Sequence, residues 1–131
     1  MSVTHESAAI AVARSHVEAW SNHDYAAARA HLAADVQVTV TSTIEGLPKT
    51  DTVGIEEYMR GLVPFAEMVV PGSLRIDGSV GDERNALLLV TVETAGHPMG
   101  AMTLPAARLY LLDDDQKIKA EQVVFYAVPA A

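Results

Sequence analysis

Helices in the first half of the chain and strands in the second predict a small, cone-shaped α+β domain. Three observations carry that reading. Ile10, Ala13, Val17 and Trp20 follow the 3-4-3 spacing of one buried helical stripe. Val36, Val38 and Val40 then alternate with Gln37, Thr39 and Thr41, the pattern of a half-buried strand. From Pro71 onward the sequence becomes four apolar segments separated by short polar turns.

The elements follow in order. Thr4 or a neighbour caps the first helix, and Glu6 suits the positive end of its dipole. That helix ends at Trp20, before Ser21-Asn22-His23-Asp24. Asp24 is a natural N-cap for a second, short helix, whose stripe Tyr25, Ala28 and Leu32 closes on Leu32. Asp35 opens the first strand. Glu45 to Asp51 read as loop, and Asp51 or Thr52 starts a third helix through Tyr58, Met59 and Leu62, interrupted near Pro64. Strands are expected over Leu74–Val80, Ala86–Thr94, Met102–Leu112 and Lys117–Val128. Their connections, Gly81 to Asn85, Ala95 to Pro98 and Asp113 to Gln116, have hairpin length, so the sheet should be largely antiparallel and strongly twisted.

Composition narrows the function. At 131 residues the chain is expected to form one domain over residues 1–131, long enough to remove roughly two-thirds of its unfolded surface from water. Nine basic against seventeen acidic residues give a net charge of −8. With no Lys/Arg cluster to relieve it, that charge argues against nucleic-acid binding. The absence of cysteine leaves no disulfide framework and no thiolate metal site. Residues Met1 to Glu6 lack a basic region followed by an apolar core, so no signal peptide is expected. No apolar run approaches the roughly twenty residues of a membrane span, and a cytoplasmic location is the default.

Leu87-Leu88-Leu89-Val90 and Val123-Val124-Phe125 place apolar residues on both faces of their strands. One face can cover the helices. The other needs a second cover, which a homodimer through the outer sheet face supplies most simply; the alternative is a monomer with an apolar convex face.

Five stretches carry a resemblance to a known family: Trp20-Ser21-Asn22-His23-Asp24-Tyr25, Leu32-Ala33-Ala34-Asp35-Val36, Gly54-Ile55-Glu56-Glu57-Tyr58, Leu104-Pro105-Ala106-Ala107 and Lys117 to Tyr126. In this order and spacing the chain resembles the nuclear transport factor 2-like superfamily, and within it the SnoaL-like proteins related to polyketide cyclases and ketosteroid isomerase. The resemblance implies three N-terminal helices against a curved, mostly antiparallel sheet, with a mostly apolar cavity between them. It implies fold more than function, because this scaffold hosts isomerases, dehydratases, cyclases, hydrolases and non-catalytic binders.

Carried over residue by residue, the resemblance places His16 where ketosteroid isomerases keep an oxyanion-stabilising tyrosine, and Val40 where they keep the aspartate base. Arg108 falls near their second, protonated aspartate. Valine cannot shuttle a proton, so ketosteroid-isomerase chemistry is not expected. Tyr126 and Val128 stand where many relatives end the last strand on an aspartate and a further polar residue.

The catalytic candidates are therefore His16, Arg108 and Glu121. Histidine titrates near neutrality and can donate to a carbonyl or act as acid and base. An inward arginine demands a carboxylate neighbour or an anionic ligand. Glu121, Val123 and Phe125 share one strand face and, by the same resemblance, look into the cavity; a register slip of one would turn Gln122, Val124 and Tyr126 inward instead. Trp20, Val38, Val40, Tyr58, Met59 and Leu62 complete one side of the expected pocket. Val90, Met102 and Tyr110 complete the other, and methionines such as Met59, Met99 and Met102 suit an adaptable apolar lining. The plainer readings are a half-exposed or core-bonded His16, about 70° from the centre of its stripe, a structural Arg108–Glu121 ion pair, and a Trp20 that is simply core.

Other motifs point to less. His16, His23 and His31 lack the spacing that aligns two metal ligands on a helix, and with His5 and His97 they form no metal constellation. Asp113-Asp114-Asp115 lacks the glycine and closing glutamate of a calcium loop and reads as a solvated hairpin tip. Arg75-Ile76-Asp77 is similar to the Arg-x-Asp element of epoxide hydrolases sharing this fold. No nucleophile elbow, phosphate loop or dinucleotide fingerprint is present, so no cofactor is expected. Two function classes remain: a cofactor-independent isomerase, cyclase or hydrolase acting on an apolar, carbonyl-bearing molecule, and a non-catalytic binder of such a molecule. A dimeric interaction protein with a vestigial cavity is the third reading.

Overall fold

The computed structural model describes residues 6–42, 49–95 and 101–126. Among them are three helices, α1 (Ala8–Ser21), α2 (Tyr25–Ala30) and α3 (Ile55–Glu67). Six strands join them: β1 (Leu32–Ser42), β2 (Thr50–Val53), β3 (Arg75–Gly81), β4 (Asn85–Thr94), β5 (Met102–Leu112) and β6 (Ile118–Phe125). The strands form one curved sheet in the order β2-β1-β6-β5-β4-β3. The α+β architecture is the one expected.

Local chemistry explains most of the boundaries. Ser7, rather than Thr4, caps α1 by accepting from the backbone N–H of Ile10; Thr4 lies outside the described residues. Asp24 caps α2 as predicted, accepting from Ala27 N–H. His23, ahead of it, holds a positive φ of 65°, and its ring Nε2 lies 2.9 Å from the Val69 carbonyl oxygen, which fixes the turn between the helices.

Three boundary expectations are corrected. First, α2 stops at Ala30 and β1 begins at Leu32, not Asp35, because Leu32 already pairs with Ile118 of β6. Asp35 falls where the β1–β6 register shifts, between Leu32 and Gln37. Second, Asp51 and Thr52 do not start a helix. Thr50–Val53 run antiparallel to Val40–Gln37, and the β-branched residues here satisfy the open edge of β1. Gly54, at φ 97°, turns the chain into α3 and donates to the Val36 carbonyl. Third, Pro64 sits inside α3 without ending it, and the helix runs on to Glu67. The largely antiparallel sheet is the one expected, with one exception: β1 and β6 pair in parallel, which makes it mixed. Only a β6 inserted between β1 and β5 joins the two halves of the chain into one sheet. The hairpin signals did not report that insertion.

The helices cover the inner face of the sheet. Ala9, Ala13, Val17 and Trp20 of α1 pack against Leu88 and Val90 of β4 and against Tyr110 and Leu112 of β5 in one core. Ile10, placed in the stripe by spacing, is only half-buried, and Ala9 takes its inward position. Burying that core is the dominant favourable term for the fold.

Candidate functional site

At the wide end of the cone, between α3 and the β1–β6–β5 part of the sheet, lies a cavity of about 380 Å³. That volume suits a small organic molecule. The strand register sets its walls. Val38 pairs with Glu121 and Val40 with Val123, while Arg108 pairs with Val123 and Tyr110 with Glu121, so all of them point to the inner face. Val38, Val40, Val123 and Phe125 form the sheet wall, and Tyr58, Gly61, Leu62 and Phe65 form the helix wall. The last four recur at helical spacing along α3, which is why one face of that helix lines the cavity. Ser42, Thr50, Thr52 and Glu57 add polar groups to the lining.

Two of the charged side chains in this lining are buried, Arg108 and Glu121, only 4% and 3% exposed. Their nearest charged atoms, Arg108 Nη1 and Glu121 Oε2, are 3.7 Å apart, an ion pair beyond hydrogen-bond distance. Arg108 is held among aromatic rings. Its guanidinium carbon lies 4.7 Å from the Trp20 ring centre, 5.7 Å from Phe125 and 5.9 Å from Phe65. Such faces stabilise a partly desolvated cation. Arg108 Nε and Glu121 Oε2 are nonetheless buried without a hydrogen-bond partner.

Glu121 is tied to the helices through its other oxygen. The Tyr58 hydroxyl donates to Glu121 Oε1 over 2.5 Å, and His16 Nε2 lies 2.9 Å from the same hydroxyl. On the far side of the imidazole, His16 Nδ1 is 2.9 Å from the Ala28 carbonyl oxygen. A carbonyl only accepts, so Nδ1 carries the proton. Burial lowers the His16 pKa from 6.5 to about 4, against the opposing pull of the Glu121 charge, so the ring is neutral at physiological pH. Burial also raises the Tyr58 and Tyr110 hydroxyls well above their ordinary 10, helped by the Glu121 charge. Both remain protonated.

The predicted residues thus occupy distinct places. Arg108, Glu121, Val38, Val40, Tyr58, Leu62, Val123 and Phe125 line the cavity. His16 is fully buried one step behind it, reaching it through Tyr58. Trp20 and Tyr110 are buried behind Arg108 and beside Glu121. Val90 is buried in the core, and Met59 and Met102 are half-buried outside the lining. Met99 lies outside the described residues. Sequence reasoning missed Phe65, Gly61 and the threonines of β2. Phe65 is seven residues from Tyr58 on the same helical face, but the expected break at Pro64 hid it.

The Arg75-Ile76-Asp77 element is an exposed ion pair on β3, with Asp77 accepting from Thr91, and it contributes nothing to the cavity lining. Among the described residues no group of three or more His, Asp or Glu side chains could hold a metal ion. No helix there is long and apolar enough to cross a membrane.

A cone of three helices on a curved mixed sheet, with a cavity at its open end, defines a SnoaL-like architecture, and the sequence agrees: the family model of the SnoaL-like domain matches residues 13–121. The chain belongs to that family. Its fold is shared with solved structures of low sequence identity. A protein from Kribbella flavida is 22% identical with a TM-score of 0.76, over 92% of this chain and 88% of that one. A protein described as a SnoaL-like polyketide cyclase, from Shewanella denitrificans, is 13% identical with a TM-score of 0.69, over 89% of each. An epoxide hydrolase from M. tuberculosis is 18% identical with a TM-score of 0.69, over 90% of this chain and 82% of that one. No curated protein matches in sequence.

Proposed function

We propose that the protein binds a small apolar molecule carrying one carbonyl-containing polar head, with the apolar body against Val38, Val40, Leu62, Phe65 and Val123 and the head at Arg108 and Glu121. The observation that carries this reading is a buried charged pair at an apolar cavity, with Arg108 Nε and Glu121 Oε2 lacking a hydrogen-bond partner. Buried polar atoms without partners are costly, and a ligand head that both accepts and donates would relieve that cost. The test is thermal denaturation with a series of apolar carbonyl compounds, followed by a crystal structure of the best one. Stabilisation should be lost in Arg108→Met. Binding unaffected by that change would move the ligand elsewhere.

Catalysis is the second reading, and the short Tyr58–Glu121 bond favours it. Here Glu121 is the base, Arg108 stabilises developing negative charge, and His16 acts on Glu121 through Tyr58. This makes the protein a cofactor-independent isomerase, cyclase or hydrolase. Aliphatic Val40 in the lining argues against ketosteroid-isomerase chemistry. Under this reading His16→Ala abolishes turnover while leaving the fold intact, and retained turnover removes His16 from the mechanism.

The outer sheet face supports a homodimer. Leu89, Leu109 and Val124 are exposed there, and the strand pairings bring them together with Leu87 and Val80 into one apolar patch. A monomeric sedimentation coefficient at micromolar concentration would exclude this assembly.

A further inference from the structure

Resting on the reading of the cavity as a ligand site, we propose that its preferred ligand is an apolar carboxylate, and that the protein takes up one proton on binding it, held on the His16–Tyr58–Glu121 run.

The argument is a count of protons against acceptors. The run has two contacts, His16 Nε2 to the Tyr58 hydroxyl at 2.9 Å and that hydroxyl to Glu121 Oε1 at 2.5 Å. Two hydrogen bonds need two protons. His16 spends its single proton at Nδ1, facing the Ala28 carbonyl, so only the tyrosine's own proton is left for the run. With Glu121 ionised that proton points to the carboxylate. The Nε2 lone pair is then left facing the lone pairs of the Tyr58 oxygen, an unmade bond at full burial. The run is one proton short.

An anionic ligand head supplies the reason to fill it. A ligand carboxylate beside Arg108 would replace Glu121 as the counter-ion of the guanidinium. Two carboxylates sharing one small apolar site do not both stay ionised. A proton from solvent therefore joins Glu121, its new O–H donates to the Tyr58 oxygen, and the Tyr58 hydroxyl turns to donate to His16 Nε2. Every donor and acceptor in the run is then matched, and the ligand anion balances Arg108. The lowered basicity of His16 fits its part as final acceptor, not as imidazolium.

The surrounding charges leave this arrangement in place. From α1 the run presents only His16. His31, at the end of α2, stands edge-on with its ring centre 6.4 Å from that of His16, and burial together with Lys117 lowers its pKa. From α3 come Tyr58 and, at the exposed edge of the lining, Glu57, which is paired with Arg60. From β5 come Arg108 and Tyr110, and from β6 Glu121. Arg108 is the one cation among the described residues that line the cavity.

Decanoate and decanol, which share a chain and differ in the head, test the idea. Calorimetry in two buffers of different ionisation enthalpy should show uptake of about one proton with decanoate and none with decanol. Between pH 6.5 and 8.5 the decanoate Kd should rise about tenfold per pH unit, while that of decanol stays level. Glu121→Gln should bind decanoate without proton uptake and without pH dependence. His16→Phe, which removes the final acceptor, should weaken decanoate binding at pH 7 about tenfold or more. Should His16→Phe fail to fold, Glu121→Gln decides alone. Decanoate binding without proton uptake, or decanol binding as tightly at pH 6.5, overturns the proposal and leaves the ligand site standing. Failure of both probes to bind the wild-type protein overturns the ligand site itself.

Discussion

Removing one oxygen tests whether the buried run holds the site together. Tyr58→Phe keeps the ring, which lies 5.9 Å centre to centre from His16, and keeps the packing of α3 against the sheet. It deletes the bond to Glu121 Oε1. Since Glu121 Oε2 already lacks a hydrogen-bond partner, both oxygens of a buried carboxylate would then be bare. A hydrogen bond to a charged group is worth about 1.5–3 kcal/mol, and Glu121 would keep only its ion pair with Arg108. A loss of about 2–3 kcal/mol is expected at pH 7.5, or a fall in Tm of about 6–12 °C for a chain of this size. Tyr110→Phe is the internal control. That ring is buried too, but its hydroxyl sits beside the Arg108–Glu121 pair without a well-aligned hydrogen bond, so the change should cost less, about 1 kcal/mol or below. The assay is thermal denaturation of both variants followed by tryptophan fluorescence, since Trp20 is the sole tryptophan. A Tm for Tyr58→Phe within about 2 °C of wild type, or an equal loss in Tyr110→Phe, would refute the reasoning.

Acid should destabilise the protein through His16. The folded pKa of about 4 lies below the ordinary 6.5, so the unfolded chain holds more protons in between. The neutral ring's contribution is therefore complete above pH 6.5 and is lost as pH falls toward 4, by up to about 1.4 kcal/mol per unit; His16→Asn should flatten that slope in denaturation series. Trp20→Ala removes the largest fully buried side chain and the platform under Arg108. It should cost about 3–5 kcal/mol by chemical denaturation and abolish ligand stabilisation. Gly81→Ala drives a methyl into the Asn85 carbonyl and against Ile10 of α1, so a Tm several degrees lower is expected, near 1–3 kcal/mol. Leu109→Arg, at the centre of the outer patch, should leave Tm measured on dilute monomer unchanged while shifting sedimentation from dimer to monomer.

Much of the fold was legible because its signals are local. The alternation of Val36, Val38 and Val40, the cap at Asp24 and the hairpin turns each depend on neighbours within a few residues. β5 was located at its actual bounds, Met102–Leu112. The boundaries that slipped depend on distant partners. Thr50–Val53 is a strand only because β1 offers an edge, and α3 passes through Pro64 because its flanking turns are packed against the sheet.

The candidate site divides the same way. Sequence alone determined that Arg108 and Glu121, on neighbouring strands of an apolar hairpin, would have to find partners if they faced inward. Only the tertiary structure decided that they do face inward, that Trp20 lies under the guanidinium, and that His16 meets Glu121 through Tyr58 instead of reaching the cavity. Those contacts join residues 42 and 63 positions apart. Periodicity reports which face of an element is apolar. Which atoms meet across two such faces is set by register, by the parallel β1–β6 pairing and by the depth at which α3 sits.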